Sequence, residues 1–199
     1  MVHKAIVHAL GVLIVLMMAS SVYAFDSRRK GFMLGFGLGP AWSSYTQTMT
    51  YAGLPEEKSD RQNDLALRTD FRIGYGPSEQ VQIYWTSKVN WFRLVNVYGD
   101  KVTIASGVGG VGVTHFLKST YPSPYLLGEI GLASWATPFK WGSDSWYGLG
   151  VALGVGYQLR NHLAFEANIT WGNPSDSERG LEVSADALSF GVTMNVIAF

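Results

Sequence analysis

The chain of 199 residues contains no cysteine. That absence excludes a disulfide framework, a thiolate nucleophile, a zinc-thiolate centre and attachment through a lipid-modified cysteine. An excess of charge of one sign is missing as well, because 15 Lys and Arg balance 15 Asp and Glu. The cations do not cluster, so the sequence offers no phosphate-tracking surface and nucleic acid is not an expected partner. A run long enough for a spanning helix is also lacking. The longest apolar stretch, Ala5 to Met18, falls short of the roughly 20 residues that such a helix needs.

What that stretch does fit is a leader. Met1 to Lys4 is short and basic, the apolar run follows, and Ser20, Ser21, Val22, Tyr23 and Ala24 form a small-residue end. This order is that of a secretory signal peptide cut after Ala24. The expected organisation is therefore a signal peptide over 1–24 and a single domain over 25–199.

Glycine and aromatic residues are abundant, at 23 residues and 14%, and they fall into a pattern. From Leu65 to Tyr75, Leu65, Leu67, Thr69, Phe71, Ile73 and Tyr75 alternate with Ala66, Arg68, Asp70, Arg72 and Gly74. Period two over that length predicts a strand with one greasy face and one small or charged face. The same alternation predicts strands over Phe32 to Trp42, Val81 to Trp91, Val102 to Phe116, Tyr125 to Ala136, Tyr147 to Gln158, Leu163 to Trp171 and Val183 to Phe199. In the Val102 to Phe116 segment the alternation breaks at Gly109 and Gly110, which predicts a β-bulge there.

Eight segments of this kind, joined alternately by short turns and long polar loops, predict an all-β, eight-stranded antiparallel up-and-down transmembrane β-barrel. The long loops are expected near residues 43–64, 93–101, 137–145 and 172–182, outside the cell, with both termini in the periplasm. A soluble barrel with its apolar face inward would share the periodicity. Volume argues against it, since an eight-stranded interior holds little more than its own side chains, and only the glycine-bearing face is small enough to fit.

The expected lumen is lined by Arg68, Asp70, Arg72, Lys88, Glu129 and Glu166, three charges of each sign, which persist in a buried place only when paired. A structural network and a charge-lined solute path are both open on this reading. Aromatic girdles are expected at the two interfaces. Trp42, Trp91, Trp135, Trp146, Tyr147 and Trp171 fall toward the long-loop rim, and Phe32, Tyr75, Tyr125 and Tyr157 toward the short-turn rim.

Several patterns resemble chemistry without its context. Gly107, Gly109 and Gly112 spell GxGxxG, but no helix follows, as dinucleotide binding requires. His115 and His162 lack a serine two residues on, having Leu117 and Ala164 there, and both sit beside short turns. The Asn168–Ile169–Thr170 sequon lies within a strand. No catalytic residue, metal ligand or cofactor is expected.

The C-terminal strand closing on Phe199 resembles the assembly signal of bacterial outer-membrane barrels, and with the leader and eight strands the chain resembles the OmpA and OmpX class of small barrel. That resemblance implies an outer-membrane location, contact with outer-membrane lipids and lipopolysaccharide, handling by the barrel-assembly machinery, and a passive structural or surface-contact role. With nothing following Phe199, it leaves out the peptidoglycan-binding domain of the larger members. Phe199 is out of phase with the outward set Phe190, Val192, Met194 and Val196, which predicts either a bulge near Asn195 or a register one residue off.

Overall fold

The computed structural model describes residues 28–52, 55–95, 99, 101–139, 145–178 and 180–199. The leader and its cut after Ala24 lie outside them, as do Tyr98, Asp100, Lys140 and Asp144 of the expected loops. The elements are β1 (Gly31–Tyr51), β2 (Glu57–Lys58), β3 (Gln62–Gly76), β4 (Val81–Val95), β5 (Lys101–Phe116), β6 (Ser123–Ala136), β7 (Ser145–Arg160), β8 (Leu163–Glu178) and β9 (Leu181–Ala198). All pairings are antiparallel, each barrel strand lies beside its neighbour in sequence, and β1 also pairs with β9. The eight long strands thus close into an up-and-down ring with no free edge, which satisfies the backbone in a medium without water. Two-residue β2 pairs with β1 above that ring, Met49 opposite Glu57.

Sidedness follows the alternation. Phe32, Leu34, Phe36 and Leu38 of β1 stand exposed while Met33, Gly35 and Gly37 are buried; Leu67, Phe71, Ile73 and Tyr75 of β3 stand exposed opposite buried Arg68, Asp70 and Arg72. The same contrast runs round the wall, with Leu126, Ile130, Leu149, Leu153, Val155, Phe165, Ile169, Phe190, Val192, Met194 and Val196 all open on the outside. A continuous belt of large apolar side chains far exceeds what a water-soluble monomer exposes. It is a lipid-facing surface, and turning it round would place Arg68 and Arg72 in hydrocarbon at about 2 to 4 kcal/mol each.

Three expectations need correction. The stretches 43–64 and 172–182 are mostly strand: β1 and β9 stay paired from Leu34↔Ala198 to Tyr51↔Leu181, and β8 pairs with β9 out to Glu178↔Leu181. Residues 43–51 are rich in Thr and Tyr, which favour extended backbone, and polar strands continue into water as readily as loops. The bulge at Gly109 and Gly110 is absent, because the β4–β5 ladder runs unbroken from Val81↔His115 to Val95↔Lys101. The apparent break arises because Ile104 and Val108 are buried on the lumen side, while Val111 and Val113 are exposed. No bulge occurs at Asn195 either, since the β8–β9 pairs Leu163↔Val196 to Trp171↔Leu188 keep one register. Phe199 is instead buried beside Met33 and Ile197, on the inner side.

Candidate functional site: a filled lumen

The inward residues form layers stacked along the barrel axis. In the middle layer, Asp70 and Arg72 of β3, Lys88 of β4, Glu129 of β6 and Glu166 of β8 converge. Lys88 Nζ lies 2.5 Å from Asp70 Oδ2, 3.1 Å from Glu166 Oε1 and 3.3 Å from Glu129 Oε1. Arg72 Nη2 reaches Glu166 Oε2 at 2.5 Å and also pairs with Asp70. Each cation therefore bridges at least two carboxylates from different strands, the geometry in which attraction offsets desolvation. Hydroxyls add to the layer: Tyr125 donates to Glu166 Oε2 at 3.1 Å, and Tyr84 donates to Glu129 Oε1 at 3.3 Å and bonds Thr114 at 2.9 Å, while Glu129 Oε2 is buried without a hydrogen-bond partner among the described residues.

Arg68, the sixth expected charge, stands beside this network and makes no ion pair among the described residues. Its guanidinium donates to Asn90 Oδ1 at 2.7 Å and Thr170 Oγ1 at 3.1 Å, and it also bonds Asn168. Gly191 makes room for it, because an added Cβ there would lie 2.7 Å from the guanidinium. A further step along the axis, Ser43 and Ser189 hydroxyls bond at 2.9 Å. A cavity of about 10 Å³ beside Asn90, Ser106 and Thr170 is no larger than one water requires.

Apolar plugs close both ends. Toward the short turns, Met33, Tyr84, Phe116, Tyr125, Leu127, Ala164, Ile197 and Phe199 pack together. Arg29, preceding β1, caps this plug: its guanidinium lies 4.0 Å from the Phe116 ring centroid and donates to Gln158 Oε1 at 2.9 Å, the Glu79 carbonyl at 3.2 Å and the Lys118 carbonyl at 2.7 Å. One side chain thus ties two short turns to the end of β7, whose Gln158 in turn donates to the Asn161 carbonyl of the third at 2.9 Å. Toward the long loops, Tyr45, Phe92 and Trp135 pack ring against ring at centroid distances of 4.9 to 5.6 Å, with Trp146 stacked on Trp135 at 6.3 Å.

No protein-family model matches the chain, and no curated protein matches it. Solved structures do. The outer-membrane protein AlkL, determined in lipid bilayers, aligns with a TM-score of 0.50 at 13% identity, covering 85% of this chain and 91% of AlkL. OprG of Pseudomonas aeruginosa aligns at 11% identity and TM-score 0.49, and Neisserial surface protein A at 13% and 0.48, each alignment covering 85% of this chain and 97% of the other. The chain has the fold of the small outer-membrane β-barrels.

Within this outer-membrane-type barrel the remaining sequence candidates have definite places. Phe32, Trp42, Tyr75, Tyr147, Tyr157 and Trp171 are exposed on the outer wall. Trp91 is half-buried there, its indole donating to Thr69 Oγ1 at 3.0 Å. Trp146, expected at the long-loop interface, stands opposite Trp135 on the inner side and packs onto the plug; Trp135 and Tyr125, also expected at the interfaces, are corrected: at 3% and 1% exposure both point into the lumen. Each stands in phase with Glu129 of the same strand, and their rings fill the ends of a tube that would otherwise be open. Gly107, Gly109 and Gly112 lie inside β5, without a helix. Asn168 and Thr170 of the sequon are buried partners of Arg68. His115 is exposed on β5, and His162 in the last short turn bonds the Ile197 carbonyl through Nδ1 at 2.8 Å.

Arg29 and the aromatic plug were not singled out by periodicity. Arg29 precedes the first strand, Tyr45 lies where polar residues suggested loop, and Phe92 lies just past the expected end of its strand at Trp91; the one available signal was that Tyr45 and Phe92 are in phase with inward neighbours.

Proposed function

We propose that this chain is an integral outer-membrane protein with a passive structural or surface-contact role, a closed barrel that holds its long-loop rim outside the cell. The observation that carries the reading is the filled lumen: among the described residues, a charge network lies between two apolar plugs, and the cavity beside Asn90, Ser106 and Thr170 is about 10 Å³. The six lumen charges then serve to hold the wall together, the exposed aromatics anchor the interfaces among lipids and lipopolysaccharide, and the strand ending at Phe199 is the segment presented to the assembly machinery. A leader over 1–24 delivers the chain to that machinery. Catalysis is not part of this reading, since His115 and His162 lack a serine two residues on. The enzyme alternative requires altered lipid A acylation on overexpression that is lost in His115→Ala or His162→Ala.

The competing reading is a narrow pore controlled by the charge network. Reconstitution into planar bilayers distinguishes the two: the closed-barrel reading expects no unitary conductance, whereas steps that change in size in Lys88→Ala establish the pore instead.

A further inference from the structure

Above the aromatic plug the strands continue, and their ladders fix which side chains face the axis. Tyr45 and Ala185 are inward members of the plug. Alternation from them places Met49 and Tyr51 of β1 on the same side, paired in register with Val183 and Leu181 of β9. Leu94 of β4 is opposite Val102 of β5, one inward step beyond the Phe92↔Ile104 pair, and Trp146 of β7 is opposite Trp135. Leu94, Val102 and Trp146 pack onto the plug but are only partly buried, and Met49, Tyr51 and Leu181 are 49%, 52% and 38% exposed. The mouth of the barrel is therefore an apolar funnel whose floor is Tyr45, Phe92 and Trp135. Water, not lipid, borders it, so its greasy lining is not explained by the membrane.

The charges that face into this funnel are of one sign, although Glu182 and Asp186 put carboxylates on the outer side as well. Asp64 of β3 is opposite inward Ser43, and the Tyr45 hydroxyl donates to its Oδ2 at 2.7 Å. Glu57 is opposite Met49, and Asp176 is opposite Val183, so both carboxylates share the inward side. The described cations that the ladders place at this mouth are all on the outer side: Lys58 is opposite Thr48, Arg93 opposite Thr103 and Lys101 opposite Val95. Among the described residues whose direction the ladders set, every inward charge at this mouth is negative.

We infer that this funnel binds an amphipathic organic cation, an ammonium group carrying an aryl or short alkyl body. The ammonium lies toward Asp64, Glu57 and Asp176, and the apolar body rests on Leu94, Val102, Trp146 and the floor rings. Aromatic faces attract a cation as well as an apolar body, and carboxylates at the rim reject anions. A neutral apolar compound gains only the contact, and an anion meets like charge. The inference rests on the proposed function only in taking the long-loop rim as the water-facing end.

The test uses the whole protein in phosphatidylcholine nanodiscs, with empty discs subtracting partition into lipid. The probes are benzyltrimethylammonium, its uncharged isostere neopentylbenzene, and benzenesulfonate. Binding is followed by equilibrium dialysis and by the indole signals of Trp135 and Trp146. The expected result is saturable binding of the ammonium that perturbs those two indoles, weaker binding of the isostere and none of the sulfonate. Neutralising carboxylates in Asp64→Asn/Asp176→Asn and in Glu57→Gln should weaken the ammonium by about twofold to fivefold per charge, with heat-modifiable gel mobility showing that the barrel is intact. Trp146→Ala supplies a second variant that acts on the apolar half and leaves the charges in place. Equal binding of all three probes, an ammonium affinity unchanged by the Asp and Glu variants, or no ammonium binding would overturn the inference. Conductance is read separately, so a pore would overturn the closed-barrel reading without deciding this one.

Discussion

Replacing Lys88 with methionine removes a cation while preserving the length of the side chain. Its ammonium touches three carboxylates, Asp70, Glu166 and Glu129, within 3.3 Å. In Lys88→Met, Arg72 still pairs with Asp70 and Glu166, but Glu129 retains only the Tyr84 hydroxyl at 3.3 Å. Removing one partner of a buried pair costs about 3 to 5 kcal/mol, because the remaining charge stays buried and unpaired. Against a total stability of roughly 5 to 15 kcal/mol, that loss is large enough to lower the urea midpoint plainly. The assay is equilibrium unfolding from vesicles, followed by tryptophan fluorescence and heat-modifiable mobility. A second substitution separates charge imbalance from lost packing. Glu129→Gln removes the stranded carboxylate, so Lys88→Met/Glu129→Gln should recover part of the loss, a coupling read from a double-mutant cycle. A Lys88→Met protein within about 0.5 kcal/mol of the parent, the range of ordinary surface changes, would refute the idea that the network holds the wall together.

Two other perturbations probe the wall itself. Leu149→Arg puts a cation on the outer face of β7, where Leu149 is 57% exposed, and should cost up to about 2 to 4 kcal/mol, according to depth; vesicle refolding yield reads the loss, and an unchanged yield would place that face in water. Gly156→Val crowds the Tyr125 ring, which lies across Gly156 where an added Cβ would go. That overpacking should destabilise by about 1 to 3 kcal/mol and loosen the Tyr125–Glu166 bond, checked by urea unfolding, while Val155→Ile on the outer face serves as the near-neutral control.

The strands and their faces were legible because the environment of an outer-membrane barrel is nearly binary. Ile73 and Arg72 are neighbours in sequence, yet one faces lipid and the other a charge network, and no compromise position exists between them. Identity of inward partners was less legible. Arg68 was expected among ion pairs and is held instead by Asn90, Asn168 and Thr170, polar neutral residues that look alike to any periodicity. Trp135 and Tyr125 misled for a different reason: an aromatic ring near a strand end suits both an interface and a plug, and only its phase relative to Glu129 decides. The extended ends of β1 and β8 were hidden because strand signals depend on greasy alternation, which is needed within the bilayer and dispensable above it. Arg29 had no signal at all, since its partners are mainly backbone carbonyls of turns far away in sequence.

The pairing of β1 with β9 joins the two extremes of the polypeptide, Leu34 to Ala198 at one rim and Tyr51 to Leu181 at the other. Every other long junction is a hairpin that can zip locally, but this seam waits for the final segment, and contacts so remote in sequence form slowly. Until it is sewn, the growing sheet carries two raw borders of unsatisfied amides and carbonyls, each a template for stray strands. A nascent copy stopped short of Val183 would therefore stay an open ribbon, and it would need a shielding escort to reach the bilayer without clumping.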